Sequence, residues 1–391
     1  MKPVAFAFLF ICSTQCFAQD TAHHFWFGRS AGKLPQIAYS EGEDRLGSAK
    51  MGYIDTGLIL KVVDSTKDLY RIQLSKYHTA LMAKADVKKD SVYTAPPFYL
   101  TNNWRAKGGK DLYDTVFISM DERLPYKSWM EINPSKIMIE LYGVQSNTNW
   151  ITQLTSTLKE IKNIYFTQAE DDVVRITVEL KHSQHWGYTL QYKNKTLLLL
   201  VKKQPAVLNI QKLKIAIDAG HGGTNSGAAG GTTNAAEKSY TLIFAKALKT
   251  YLQTRGVKNV IMTRTTDTTF GNTDRVLWLQ QQKPDLLISL HLNSSENDSV
   301  NGSSTYYKHI GFRSLSTAVL KQMLSAGLNE YGNVGNFNFL LVQPTDFPCT
   351  LLEIAFLSNK KDEQKIISSK FQKLVAAKVY AGIVDFLNSS K

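Results

Sequence analysis

Leu213-Lys-Ile-Ala-Ile-Asp-Ala-Gly-His-Gly-Gly223 is the stretch on which the fold turns. Its first half is a short apolar run with β-branched residues, which reads as a strand. The strand runs directly into a glycine-rich loop. Beyond that loop the apolar period changes. Ile243, Phe244, Ala247, Leu248, Tyr251 and Leu252 share one helical face between Tyr240 and Arg255, and Gly256 ends the run. Val260 to Thr263 then reads as a strand, Arg275 to Gln282 as a helix and Asp285 to Leu290 as a strand. Leu315 to Leu328 follows as a helix, Thr350 to Ala355 as a strand and Phe371 to Phe386 as a terminal helix. Strands alternating with helices predict an α/β unit over residues 210–391, with a mostly parallel sheet covered by helices. Ligand sites in such sheets lie at the carboxyl ends of the strands.

Upstream of Pro205 the pattern is β-rich. Residues 25–95 contain short alternating runs such as Gly57 to Val63 and Leu69 to Leu74, separated by Gly and Asp-Ser-Thr-Lys-Asp turns. Val92-Tyr-Thr-Ala-Pro-Pro97 reads as a linker. Residues 110–204 carry strand candidates at Thr115–Met120, Lys136–Leu141, Val173–Leu180 and Thr196–Val201. One amphipathic helix is expected around Trp150 to Lys162. The fold class is therefore multidomain, with two small β-rich domains preceding the α/β domain.

Composition narrows the function classes. The chain has 391 residues, of which 43% are hydrophobic and 20% charged, so it is globular rather than disordered or collagen-like. Lys and Arg outnumber Asp and Glu by 46 to 33, a net charge of +13 that favours an anionic partner. The charge is spread out, with no Lys/Arg block of five, so no nucleic-acid-binding tail is expected. Residues 1–18 read as a secretory signal peptide, with an apolar run from Val4 to Ile11 and cleavage after Ala18. No later run is long enough for a transmembrane segment. Removal of the leader takes Cys12 and Cys16 with it and leaves Cys349, so no internal disulfide is expected.

Three strands of the α/β unit end in residues suited to metal chemistry. They are Asp218-Ala-Gly-His221, Ser289-Leu-His291-Leu-Asn293, and Glu353 in Leu-Leu-Glu-Ile-Ala-Phe. Glu237 opens the helix after the glycine-rich loop. Two strand-end imidazoles with one carboxylate make a three-ligand set of the kind catalytic zinc uses, leaving a position for water. Glu353 could then take a proton from that water. A plainer reading stays open. His221 could serve only in a turn, and Glu237 could be a favourable charge in a first helical turn. Glu353 is harder to set aside, because a carboxylate inside an apolar strand is costly to bury alone.

The same residues carry a family resemblance. Asp218–Gly223, Glu237 before a helix, Met262-Thr-Arg-Thr-Thr-Asp267, Asp274-Arg275, Ser289–Asn293, Gly302 before Thr305-Tyr-Tyr307, and Leu352–Asn359 occur in register. Over Ile215 to Asp385 the chain resembles the zinc-dependent N-acetylmuramoyl-L-alanine amidases of the Amidase_3 type. The resemblance implies His221, Glu237 and His291 as ligands of one zinc per chain, and Glu353 as general base. It implies peptidoglycan as substrate, cut between N-acetylmuramic acid and L-alanine, in the periplasm or cell envelope after export. Residues 110–204 resemble AMIN domains through Leu124-Pro-Tyr126, Lys136–Gly143, Asp172–Val178 and Trp186-Gly-Tyr188. Residues 25–95 resemble a bacterial SH3-type barrel.

Two positions depart from the family pattern. Asn225 stands where Asp is usual, and Ala355 where Gly is usual; altered packing or substrate contact is the expected consequence. The span from Gly302 to Glu353 is too short for the inhibitory helical insertion of some relatives. The catalytic unit is thus expected to work without the cell-envelope activator protein that such a device would call for, although an activator remains a candidate partner. Arg264 and Arg275 read as ion-pair residues, with Asp267 or Asp274 as partners, or as a clamp for a substrate carboxylate. His309 and the remaining histidines are expected at the surface, the tryptophans half-buried and Cys349 as a buried thiol. The rival function is a catalytically idle protein that binds peptidoglycan or regulates its turnover. A zinc peptidase or deacetylase acting on the same polymer is the rival enzyme.

Overall fold

The computed structural model describes residues 25–42 and 49–391. The expected signal peptide lies outside the described residues. Trp26 to Lys89 forms one seven-stranded sheet in which every pairing is antiparallel. Leu58, Leu60, Val62 and Ile72 are buried in its core. Val92 to Pro97 belongs to no strand or helix, as a linker should.

The next unit holds two sheets. One has four antiparallel strands, Tyr126–Glu131, Lys136–Tyr142, Val173–Leu180 and Ile161–Glu170. The other is built on Tyr99–Gly108, Tyr113–Met120, Thr196–Lys202 and Tyr188–Lys193, with two short strands added in parallel to the first. The helix expected around Trp150 to Lys162 is absent. Two strands, Ile151–Gln153 and Ile161–Glu170, flank a turn instead. Ile151, Leu154, Leu158 and Ile161 have helical spacing, but Thr155, Ser156 and Thr157 are poor helix formers. The buried Asp114 decides the outcome: its carboxylate accepts the backbone N–H groups of Lys159, Glu160 and Ile161 at 2.7–3.0 Å.

The carboxy-terminal unit is a six-stranded sheet with five helices, α1 (Glu237–Thr254), α2 (Asn272–Gln282), α3 (Arg313–Leu324), α4 (Lys360–Ile366) and α5 (Ser369–Ser389). The strand order is Asn259–Met262, Lys214–Ala219, Leu286–Asn293, Cys349–Phe356, Ser303–Tyr306 and Glu330–Val334. The sheet is mixed. Ser303–Tyr306 runs antiparallel to Cys349–Phe356, while the other pairings are parallel. The chain reaches that strand from Asn293 through a loop with no helical crossover, so nothing forces the parallel sense there. Ile215, Ile217, Ile288 and Leu290 pack with α1, α3 and α5. Ala216 and Leu287 face the other way, with Val276 and Leu279 of α2 and the core of the amino-terminal units. Burial on both faces explains why these strands read as continuous apolar runs.

The second unit grips this sheet at the amino ends of its strands. Tyr188 N–H donates to the Thr345 carbonyl at 2.7 Å, and Thr345 Oγ1 donates back to the Tyr188 carbonyl at 2.8 Å. Lys202, 2% exposed, reaches the Pro284 carbonyl at 2.6 Å and Asp285 at 3.3 Å. Gly187, at φ +111°, lies so close to the Asp346 backbone that a Cβ would collide. Trp186 packs on Phe386 of α5 with ring centroids 5.7 Å apart. Thr345 and Asp285 lie just before strands, so the carboxyl ends of the sheet are left clear, roughly 20 Å away along an eight-residue strand. No helix among the described residues is long and apolar enough to cross a membrane.

Candidate metal centre

The strand Lys214–Ala219 delivers Gly220 and His221 to its carboxyl end. The neighbouring strand Leu286–Asn293 carries His291, which is in register with Glu353 on Cys349–Phe356. Paired residues of adjacent strands share a face, so Glu353 stands beside His291. Glu237 begins α1, where a carboxylate suits the helix dipole.

The three expected ligands converge. Glu237 Oε2 lies 3.1 Å from His221 Nε2, and Oε1 lies 3.0 Å from His291 Nδ1. The possible donor atoms of all three residues fall within 4.8 Å of one another. The carboxylate is also held by Ala228 N–H at 2.8 Å and Leu292 N–H at 3.0 Å. Burial alone would raise the Glu237 carboxyl, but the two imidazoles hold it well below the usual carboxylate range. Burial alone would lower His291, but the Glu237 carboxylate overrides it and pushes the imidazole up to about 9. Two imidazoles converging on one buried carboxylate form a donor set that could hold a metal ion. Two glycines make the approach possible: a Cβ on Gly220 would strike the His291 ring, and one on Gly227 would strike Glu237 and His221.

His221 has φ +61°, a left-handed conformation that a side chain seldom adopts. Arg275 stabilises it by donating from Nη2 to the His221 carbonyl. The same guanidinium donates to the Phe270 and Ala219 carbonyls and to Asp218 Oδ1, the last at 2.8 Å. Asp218 therefore does not join the cluster of His221, Glu237 and His291. It is fully buried, and it also accepts from Thr263 and Ser289 hydroxyls at 2.6 Å each. Arg264 donates to the Ala219, Gly220 and Lys238 carbonyls at 2.6–2.9 Å. Both arginines are thus committed to the loop that presents His221, and neither is a free clamp for substrate. The partners differ from those expected: Asp267 pairs with Lys238, and Asp274 with Lys33.

Other expectations fare unevenly. Cys349 is buried, its thiol donates to the Val342 carbonyl at 3.6 Å, and burial pushes its pKa up, so it is no nucleophile. His185 is buried and His309 half-buried, against the surface placement expected. Trp104 and Trp186 are fully buried, whereas Trp150 is exposed. Asn293 accepts from Ser294 N–H at 2.8 Å, capping its own turn. Asn225 was expected to affect packing or substrate. Instead its side chain meets His221 Nδ1 at 2.9 Å, a partner that four-residue spacing within a glycine-rich loop permits but does not announce.

Residues 215–385, a span that includes His221, Glu237, His291 and Glu353, match the N-acetylmuramoyl-L-alanine amidase family. The carboxy-terminal unit belongs to that family. Residues 102–201 match the AMIN domain. The chain is 31% identical over 182 residues to a probable cell wall amidase LytH of Staphylococcus saprophyticus, and 30% identical over 175 residues to its counterpart in Staphylococcus aureus. These stretches cover 46% and 44% of this chain, and 60% and 58% of the relatives. The chain thus spans about three-fifths of the length of the curated relatives it matches. Among solved structures, the catalytic domain of CwlV, an N-acetylmuramoyl-L-alanine amidase from Bacillus (Paenibacillus) polymyxa, is 32% identical at a TM-score of 0.43. It is covered over 98% of its length by 45% of this chain. The amidase domain holds the His221, Glu237 and His291 cluster, and the AMIN domain is the unit that grips its sheet from the opposite end.

Proposed function

We propose that this chain is an exported zinc amidase that cleaves peptidoglycan between N-acetylmuramic acid and the L-alanine of the stem peptide. The observation that carries the reading is the meeting of His221, Glu237 and His291 at the carboxyl end of the sheet, with Glu353 alongside. Two imidazoles and one carboxylate fit zinc, whose catalytic sites take three such protein ligands. Zinc, when bound there, supplies Lewis acidity for the amide carbonyl and makes water more acidic. Glu353 takes a proton from the attacking water and delivers it to the departing nitrogen, so the products are a lactyl carboxylate and a free amine on L-alanine. Its strand, with all eight residues buried, holds the carboxylate still for that exchange.

The amino-terminal units position this domain. Residues 110–204 act as the AMIN domain and residues 25–95 as an SH3-type module, following a leader removed after Ala18. The net positive charge suits an anionic envelope. The amidase domain works without an activator protein, since only α3, one strand and short 3-10 turns lie between Ser303–Tyr306 and Cys349–Phe356, too little for an inhibitory helical insertion.

One experiment tests metal, bond and base together. Zinc content is measured on the purified chain and on Glu353→Gln, and both digest peptidoglycan for mass spectrometry. The expected result is about one zinc per chain in each protein. Wild type alone should release stem peptides, with turnover of the variant down about 10²–10⁴-fold. Amines freed on sugars would identify a deacetylase, and an undiminished rate in the variant would remove Glu353 from the chemistry.

A further inference from the structure

The side chain of Asn225 settles which nitrogen of His221 can bind a metal. His221 Nδ1 lies 2.9 Å from Asn225 Oδ1. The backbone N–H of Gly227 donates to the same atom at 3.1 Å. An N–H group needs an acceptor, so the amide atom facing both groups is the oxygen and not the NH₂. An amide oxygen only accepts, so the proton of the neutral imidazole sits on Nδ1. That leaves Nε2, the atom that faces the Glu237 carboxylate at 3.1 Å, as the nitrogen a metal would take.

We propose that Asn225 is a positioning residue that fixes the tautomer of His221 and, being uncharged, keeps metal affinity below what a carboxylate in its place would give. The inference rests on the metal reading above. A ligand imidazole that donates its second N–H to a carboxylate is the more basic ligand, and a charge-assisted hydrogen bond is roughly twice as strong as a neutral one. Asn225 makes the neutral version of that contact. Its backbone is held separately, because Gly222 N–H donates to the Asn225 carbonyl at 2.9 Å and Asn225 N–H returns to the Gly222 carbonyl at 3.1 Å. A change of side chain therefore acts on the imidazole before it acts on the loop. Asn225 is exposed, so water takes over part of the contact when the amide is removed. The effect belongs at the low end of the range for outer partners of metal ligands.

The test compares zinc affinity in the full chain as wild type, Asn225→Ala and Asn225→Asp, by competition with a chelator at one neutral pH. Nitrogen NMR of the zinc-loaded proteins reports which His221 nitrogen keeps its proton. Asn225→Ala should bind zinc about tenfold more weakly, with the Nδ1–H of His221 exchanging faster with water. Asn225→Asp should keep the Nδ1–H tautomer and bind more tightly than wild type. Equal affinity in all three proteins, with wild type holding zinc, overturns the role of Asn225 and leaves the metal site standing. A wild type that binds no zinc overturns the metal reading, and this inference falls with it.

Discussion

At the scale of single residues, the site depends on a charge that never touches substrate. Asp218 is fully buried, and Arg275 is 1% exposed. Burial by itself would raise the Asp218 carboxyl, but the adjacent guanidinium lowers it, so the pair is ionised. Arg275 then carries that charge to the His221 carbonyl and holds the left-handed turn in place. Breaking one side of such a pair leaves the other charge buried and uncompensated. Asp218→Asn is nearly isosteric, and it should still cost about 3–5 kcal/mol in urea unfolding. Asp218→Asn combined with Arg275→Met should recover part of that loss. If the single variant unfolds like wild type, the pair does not stabilise the loop. The candidate ligands were legible from sequence because the two histidines sit at strand ends and Glu237 opens a helix in an α/β pattern. Their supports were harder to see. A buried Asp in a strand demands a partner, but nothing in the spacing says that the partner is Arg275, 57 residues away.

At the scale of elements, the β/α alternation after Pro205 was readable because apolar periods of two kinds stand side by side. Two features resisted. The antiparallel strand Ser303–Tyr306 is polar in sequence and buried in the sheet, the Ser303 and Thr305 hydroxyls donating to the Glu353 and Ser316 carbonyls and the Ser304 hydroxyl to Tyr306 Oη. The segment 150–162 has helical spacing and yet folds as a turn between strands, because Asp114 satisfies three successive backbone N–H groups there. A residue 45 positions earlier thus overrides a local preference. Asp114→Ala should strand the buried Glu160 and Ile161 donors and cost about 2 kcal/mol or more, since each unsatisfied buried group costs about 1–3 kcal/mol. Urea denaturation measures it. A loss below about 1 kcal/mol would mean that burial of Leu158 and Ile161 holds the turn unaided.

At the scale of the whole molecule, the junction between the AMIN and amidase domains carries two imidazoles that are neutral when folded. His185 reaches the Glu131 carbonyl at 2.8 Å from Nε2 and packs against Gly311 of the amidase domain. His309 reaches the Gln343 carbonyl at 2.8 Å and stands edge-on to Phe312, with centroids 5.9 Å apart. Burial pushes each imidazole down to about 4, and Lys308 adds to the effect at His309. In the unfolded chain each titrates near 6.5. The unfolded state therefore takes up protons first as pH falls, so stability is full above about 6.5 and drains away towards 4. At pH 5 the loss is about 2 kcal/mol for each imidazole. The two rings also repel once charged, which places the weakness at the domain junction. Wild type should thus lose more stability between neutral pH and pH 5 than a His185→Gln, His309→Gln double variant, by about 4 kcal/mol in denaturant titrations. A parallel decline in both proteins would show that carboxylates elsewhere govern acid unfolding. The steeper decline in wild type would show that the two buried imidazoles at the junction set the acid limit of stability.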